Sequence, residues 1–175
     1  MEFKRSISFT PPLVKATAVG RKTVTRRRFS DELIFNLHPD RYKFLGVDED
    51  GRALFEDLQP EITPWVTPVA CPFGKAGDLL VVQEDPNIIL RIERVRAEQV
   101  QSITEEGAKA EGLQMFDKFG ATEWGGVEPH PDVPNHFRWY SSPITAFRSL
   151  LTSIYSNAWK RNEWMWVIEF KRIEP

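Results

Sequence analysis

Strand-patterned segments dominate this chain, and helices do not recur between them in a βαβ rhythm. Alternating apolar and β-branched residues mark strands near 5–10, 23–27, 42–47, 52–56, 79–84, 87–97 and 164–173. Helical signals are few. Pro11 and Pro12 open a helix that Gly20 closes, since proline is tolerated in a first helical turn and glycine at a helix end. Ser102 with Glu105 fits a capping box, with Thr104 as the alternative cap, for a helix that stops at Gly112. Residues 143–158 place Ile144, Phe147, Leu151, Ile154 and Tyr155 near one helical face. This pattern predicts an α+β fold rather than a doubly wound sheet. Residues 57–76, with four prolines, and 114–142, with scattered Gly, Pro and His, read as irregular connections.

The chain of 175 residues is read as a single domain, 1–175, with enough apolar sequence for a core. Its one cysteine, Cys71, excludes an internal disulfide and fits a reducing compartment. Lys4, Arg5 and Lys15 interrupt any leader-like apolar run, and no stretch is long and apolar enough to span a bilayer. The expectation is a cytoplasmic protein without a membrane partner. His38, His130 and His136 have no metal-ligand spacing, and neither a P-loop nor a GxGxxG is present. No metal and no cofactor are expected.

Charge is unevenly distributed. Residues 1–28 hold eight Lys/Arg against one Glu, while the remainder holds fifteen against twenty-four Asp/Glu, in a chain of net charge −2. Five of those cations fall within residues 20–28, Gly-Arg-Lys-Thr-Val-Thr-Arg-Arg-Arg. A basic cluster in an acidic chain attracts anions, phosphate first among them, and arginine's planar fork suits phosphate oxygens. Arg26, Arg27 and Arg28 are therefore expected phosphate contacts.

The stretch Gly20-Arg-Lys-Thr-Val-Thr-Arg26 resembles the Gly-Arg-Lys-Thr-x-Thr-Arg motif of the ASCH domain family, within the PUA-like superfamily. Three further segments follow in the family's order. Cys71-Pro-Phe-Gly-Lys-Ala-Gly-Asp78 with 79–84 resembles its turn and strand, 95–112 its strand-to-helix segment, and 143–155 with 164–170 the closing helix and strand of larger, phage-associated members. The resemblance implies a small, partly open β-barrel of five or six strands with flanking helices and a ligand groove beside the first helix. It also implies that segments about 29–70 and 114–142 are insertions. At one point the chain departs from those relatives: Gln83 and Asp85-Pro86 flank Glu84 where they carry an arginine and an aromatic.

The family includes amidohydrolases that deacetylate N4-acetylcytidine, and their catalytic Lys, Thr and Glu fall on Lys22, Thr25 and Glu111 here. The chemistry is coherent: a threonine hydroxyl needs a base, a lysine serves if burial or nearby cations lower its pKa, and a glutamate orients the lysine or holds the leaving amine. Arg21, Arg26 and Arg27 would supply the cations. Lys22 and Thr25 face the same site only if Lys22 lies in the turn before the strand, because residues three apart in a strand point oppositely. Glu84 is a further candidate carboxylate. Trp124, Trp139 and Tyr140 are candidates to stack on a base. The expected partner is RNA or a modified nucleoside. A non-catalytic RNA- or base-binding module, a ribonuclease using the same groove, and a scaffold for protein contacts stand as the alternatives.

Overall fold

The last strand is the spine of the protein. In the computed structural model, which describes residues 4–30, 34–59 and 65–173, β11 (Trp164–Ile173) pairs antiparallel with two strands, β2 (Val24–Arg28) and β7 (Ile89–Gln99). Two more, β6 (Leu79–Val82) and β1 (Lys4–Ile7), complete a five-stranded sheet in the order β1-β6-β7-β11-β2. Only the β1–β6 pair is parallel. Trp164, Trp166, Ile168 and Phe170 are buried, and so are Met165 and Val167 between them, so this central strand is covered on both faces over its first half. Trp166 stacks on Phe29 at 4.3 Å between centroids, and Trp164 meets Phe55 edge-on at 5.0 Å. Removing either indole would cost about 3–5 kcal/mol.

The α+β class is the one the sequence predicts, and the sheets are not closed into a barrel; the resemblance implies a partly open one. The sheet ends at β1 on one side and β2 on the other, with no ladder between them. Helix α1 (Pro11–Ala18) carries the chain from one edge to the other. The gap is bridged by a side chain instead: the Arg27 guanidinium donates to the Ser8 carbonyl at 2.6 Å.

Both segments that the resemblance marks as insertions, about 29–70 and 114–142, carry their own sheets, and the strands expected at 42–47 and 52–56 are present in the first. Strands β3 (Tyr42–Val47), β4 (Arg52–Asp57) and β5 (Trp65–Ala70) form one antiparallel sheet, whose Phe55 packs into the aromatic core. Pro68 misled the reading of 57–76: β5 is an edge strand, where a residue without an N–H is tolerated. Residues 60–64 of that segment lie outside the described ones. Strands β8 (Gln114–Lys118), β9 (Ala121–Pro129) and β10 (Phe137–Tyr140) form the other. The β8–β9 hairpin turns at Phe119 and Gly120, both left-handed at φ 50° and 82°, as a tight two-residue hairpin requires.

The helices flank these sheets. Helix α2 (Glu105–Ala110) is capped by Thr104, whose hydroxyl accepts from the Gly107 N–H at 3.0 Å; Ser102 instead ends a short 3-10 turn. Helix α3 (Pro143–Ile154) is shorter than expected, and a separate turn, α4 (Ala158–Arg161), follows it. No helix among the described residues is long and apolar enough to cross a membrane.

Candidate functional site

The basic stretch starts its work at a helix end. Helix α2 leaves carbonyls without intrahelical partners at its C-terminus. Three consecutive residues of the basic stretch meet three consecutive carbonyls there. The Thr23 N–H donates to Ala110 O (2.9 Å), the Lys22 ammonium to Glu111 O (3.1 Å) and the Arg21 Nε to Gly112 O (3.0 Å). Gly112 permits the approach: a Cβ there would stand 3.0 Å from the Ala16 Cβ and 3.1 Å from the Lys22 Cβ, and its φ is +108°.

Lys22 lies before β2, in the turn that follows α1, as its convergence with Thr25 requires. Gly20, at φ +79°, makes that turn. The Lys22 ammonium uses all three N–H groups. It donates to Val24 O at 2.8 Å, to Glu111 O and to Glu111 Oε2 at 2.9 Å. The other oxygen of Glu111 accepts from Arg26 at 3.1 Å. Lys22, Thr25 and Glu111 are 2%, 3% and 5% exposed, so the ion pair is shielded from water. Burial pushes the Lys22 pKa below its ordinary value, against the opposing attraction of Glu111 and with help from Arg27 and Arg26. Gly107 gives Arg26 its room: a Cβ there would lie 3.1 Å from the guanidinium.

These groups share one cavity of about 330 Å³. Lys22, Thr25, Glu111, Arg26 and Arg27 form its polar wall, and Phe9, Leu13, Phe147 and Tyr155 contribute to the apolar one. Because β2 is an edge strand, residues from both its faces reach the same space. Thr25 is not hydrogen-bonded to Lys22. Its Oγ1 accepts from Arg27 Nε at 3.3 Å, and its own hydroxyl hydrogen has no acceptor among the described residues. Arg27 sits over the rings of Phe9 and Phe73, and burial lowers its pKa.

Of the remaining sequence candidates, Arg28, Glu84 and the three aromatics lie outside this cavity. Arg28 binds the carboxylate of Glu163, which is 1% exposed, at 2.9 Å. Arg26 is engaged by Glu111 and, at 3.8 Å, by Glu98. The arginine run is therefore tied to the protein's own acceptors rather than forming one open patch. Glu84 is exposed and does not line the cavity. It accepts from the Ser8 hydroxyl and, at 3.1 Å, from the Phe9 N–H, so it fixes the loop at the cavity mouth; the Ser8 bond and the Phe9 N–H hold its pKa low. Trp124, Trp139 and Tyr140 belong to the β8–β10 sheet, outside the cavity. Lys109 covers Trp124, Phe116 contacts Trp139, and the Tyr140 hydroxyl pairs with Ser149 at 2.6 Å. The rings that do line the cavity, Phe9, Phe147 and Tyr155, were missed. Phe147 and Tyr155 read as ordinary core positions of an amphipathic helix, and nothing local sets them apart.

Among the described residues no three His, Cys, Asp or Glu stand together as metal ligands. The buried Cys71 thiol is pushed up to about 11 by desolvation, which keeps it protonated and inert.

No family model matches the chain, and no curated protein matches it. Among solved structures, the chain is similar to the crystal structure of protein EF3133 from Enterococcus faecalis V583, of the family model DUF984. The two are 17% identical, the match covers 99% of this chain and 82% of that one, and the TM-score is 0.44.

Proposed function

We propose that this protein is a PUA-like ASCH-type amidohydrolase that removes the acyl group from N4-acetylcytidine or a close relative. The observation that carries the reading is the gathering of Lys22, Thr25 and Glu111 on the wall of one cavity, with the Lys22–Glu111 pair at 2.9 Å and sealed from water. A cavity of about 330 Å³ is at the small end of the range for small-molecule sites, which suits a nucleoside. Its apolar wall suits a base, and Phe9, Phe147 and Tyr155 supply the aromatic surface. Cytoplasmic location and a nucleoside or RNA partner belong to the same proposal.

In this reading Thr25 Oγ1 attacks the acyl carbon. For the step, one proton passes from the Lys22 ammonium across its hydrogen bond to Glu111, leaving a neutral amine and a carboxylic acid; the lowered Lys22 pKa assists this transfer. Lys22 then takes the Thr25 proton. The Arg27 N–H directed at Oγ1 favours the developing alkoxide. When the C–N bond breaks, Glu111 gives its proton to the departing cytidine amine, and the acyl group remains as an ester on Thr25. Water attacks that ester, Glu111 takes the water's proton, and Lys22 returns a proton to Thr25. The products are the free cytidine and the carboxylic acid.

A second reading, a binding module without turnover, is favoured by one observation. Lys22 spends all three N–H groups on Val24 and Glu111 and none of its contacts on Thr25. The test is a time course of acetate release from N4-acetylcytidine by wild type and variants. Thr25→Ala and Lys22→Met should each abolish release, and their combination should cost little more, because residues acting as a unit are not additive. Thr25→Ser should retain part of the activity. Binding without release by wild type would establish the second reading.

A further inference from the structure

One peptide group joins two charged side chains across the open side of the five-stranded sheet. The parallel β1–β6 ladder ends at Ile7 and Val82, and the Gln83 N–H adds a last bond to Ile7 O at 2.9 Å. The chain then turns back at Asp85-Pro86, where the Ile88 N–H donates to Asp85 O at 2.9 Å. The next ladder donor beyond β1 is the Phe9 N–H, and a side chain meets it instead of the β6 backbone. Glu84 Oε2 accepts from that N–H at 3.1 Å, and its Oε1 accepts from the Ser8 hydroxyl. The carbonyl of the same peptide unit, Ser8 O, accepts from Arg27 Nη2 at 2.6 Å. In a trans peptide the N–H and the C=O point in opposite directions, so Glu84 holds one end of this unit and Arg27 the other.

Arg27 carries this arrangement into the cavity. While Nη2 is held by Ser8 O, its Nε donates to Thr25 Oγ1 at 3.3 Å. The guanidinium lies 5.3 Å from the centre of the Phe9 ring and 5.6 Å from that of Phe73. The Lys22 ammonium also lies 5.3 Å from the Phe9 ring. Phe9 thus touches both cations that face Thr25, and Glu84 fixes its backbone. A guanidinium is planar and rigid, so anchoring one of its N–H groups sets the direction of the others. A displaced 8–9 peptide would re-aim the Nε–H, and a misplacement of about 1 Å that starts far from the reacting atoms can cost on the order of 100-fold in rate.

We propose that Glu84 is a positioning residue: through the Ser8–Phe9 peptide it aims Arg27 at Thr25, and so sets the rate of acyl transfer without touching the substrate. The effect on rate rests on the reading of Thr25 as nucleophile; the aiming of Arg27 rests on the chain of hydrogen bonds alone. Glu84 is exposed and outside the cavity lining, so truncating it opens no hole in the core.

The test has two arms on the full chain. The first is hydrogen exchange of the Arg27 Nε–H in nitrogen-15-labelled protein, its resonance assigned by its loss in Arg27→Lys. Glu84→Ala should speed that exchange about tenfold. Glu84→Gln, which keeps an acceptor for the Phe9 N–H but no charge, should stay within about threefold of wild type. The second arm is turnover of N4-acetylcytidine: Glu84→Ala should lower kcat about tenfold with KM within about twofold of wild type, and Glu84→Gln should recover most of kcat. Melting curves should show both variants folded; Glu84→Asp, one methylene shorter, should fall between them and serves if the Ala variant does not fold. A wild type without turnover would defeat the reaction proposed for the cavity and leave the exchange result standing. Three outcomes would overturn the inference: unchanged Arg27 exchange in Glu84→Ala, equally fast exchange in the Gln and Ala variants, or a raised KM with unchanged kcat, which would set Glu84 against the substrate itself.

Discussion

The protein holds two groups of positive charge that behave in opposite ways. Residues 21–28 are contiguous in sequence and mostly consumed by the fold. Arg21 and Lys22 close the end of α2, Lys22 and Arg26 share Glu111, Arg27 bridges the sheet edges, and Arg28 neutralises Glu163. Arg91, Arg94 and Lys171 are scattered in sequence, brought together by the β7–β11 register, and make no ion pair among the described residues, although Arg94 stands opposite Glu169. A run of cations in a sequence is thus no measure of free charge on a surface. Charges drawn into the interior must be paired to exist there, whereas charges at the surface are retained cheaply.

The comparison breaks most visibly at Glu111. Glu111→Ala strands the buried cations Lys22 and Arg26 and should destabilise by about 3–5 kcal/mol in urea unfolding. Arg91→Ala should lie within about 0.5 kcal/mol of wild type. If the two variants were equally mild, the internal cluster would not be held by charge pairing. Next in size is Arg28→Ala, which leaves the buried Glu163 carboxylate short of its donor and should cost about 1–3 kcal/mol. A negligible cost there, joined to weaker RNA binding, would return Arg28 to the role of a phosphate contact.

The meeting of Lys22, Thr25 and Glu111 at one cavity was legible because the three positions sit in local motifs. The turn at Gly20 also follows from sequence reasoning about backbone freedom. What was not legible depends on distance along the chain. The pairing of Arg28 with Glu163 spans 135 residues, and the opposition of Arg91 and Lys171 exists only once the strands are in register. The sheet of β8–β10 was hidden because its glycines and prolines mimic loop composition, although Phe119-Gly120 serves as a hairpin turn.

A smaller effect sharpens the contrast through pH. Burial holds the Lys22 pKa in the folded protein below the ordinary 10.5. Between that lowered value and 10.5, the unfolded chain binds more protons at Lys22 than the folded one. Stability assigned to Lys22 therefore rises with pH across that window, and its desolvation cost is fully present below it. Lys22→Met should remove this rise, so the stability of wild type minus that of the variant should grow as pH approaches 10.5. Parallel pH curves would mean that Lys22 titrates as an ordinary surface lysine. The smallest effect belongs to the surface group: Arg91→Ala relieves its repulsion with Lys171 and should stabilise by about 0.2–0.5 kcal/mol at low salt, fading as salt screens the pair. A salt-independent loss of stability would show that Arg91 has a partner in the fold.

The central claim is that the buried Lys22, Thr25 and Glu111 cluster performs chemistry rather than simply holding α2 against β2. It is tested most directly by incubating the wild-type chain with N4-acetylcytidine and following cytidine formation by chromatography, with Thr25→Ala in parallel. Thr25 carries none of the α2 closing bonds, so its removal separates chemistry from architecture. The account predicts steady cytidine release by wild type, with Thr25→Ala folded at wild-type melting temperature and inactive. Intact N4-acetylcytidine after prolonged incubation with wild type, or equal turnover by Thr25→Ala, would contradict it.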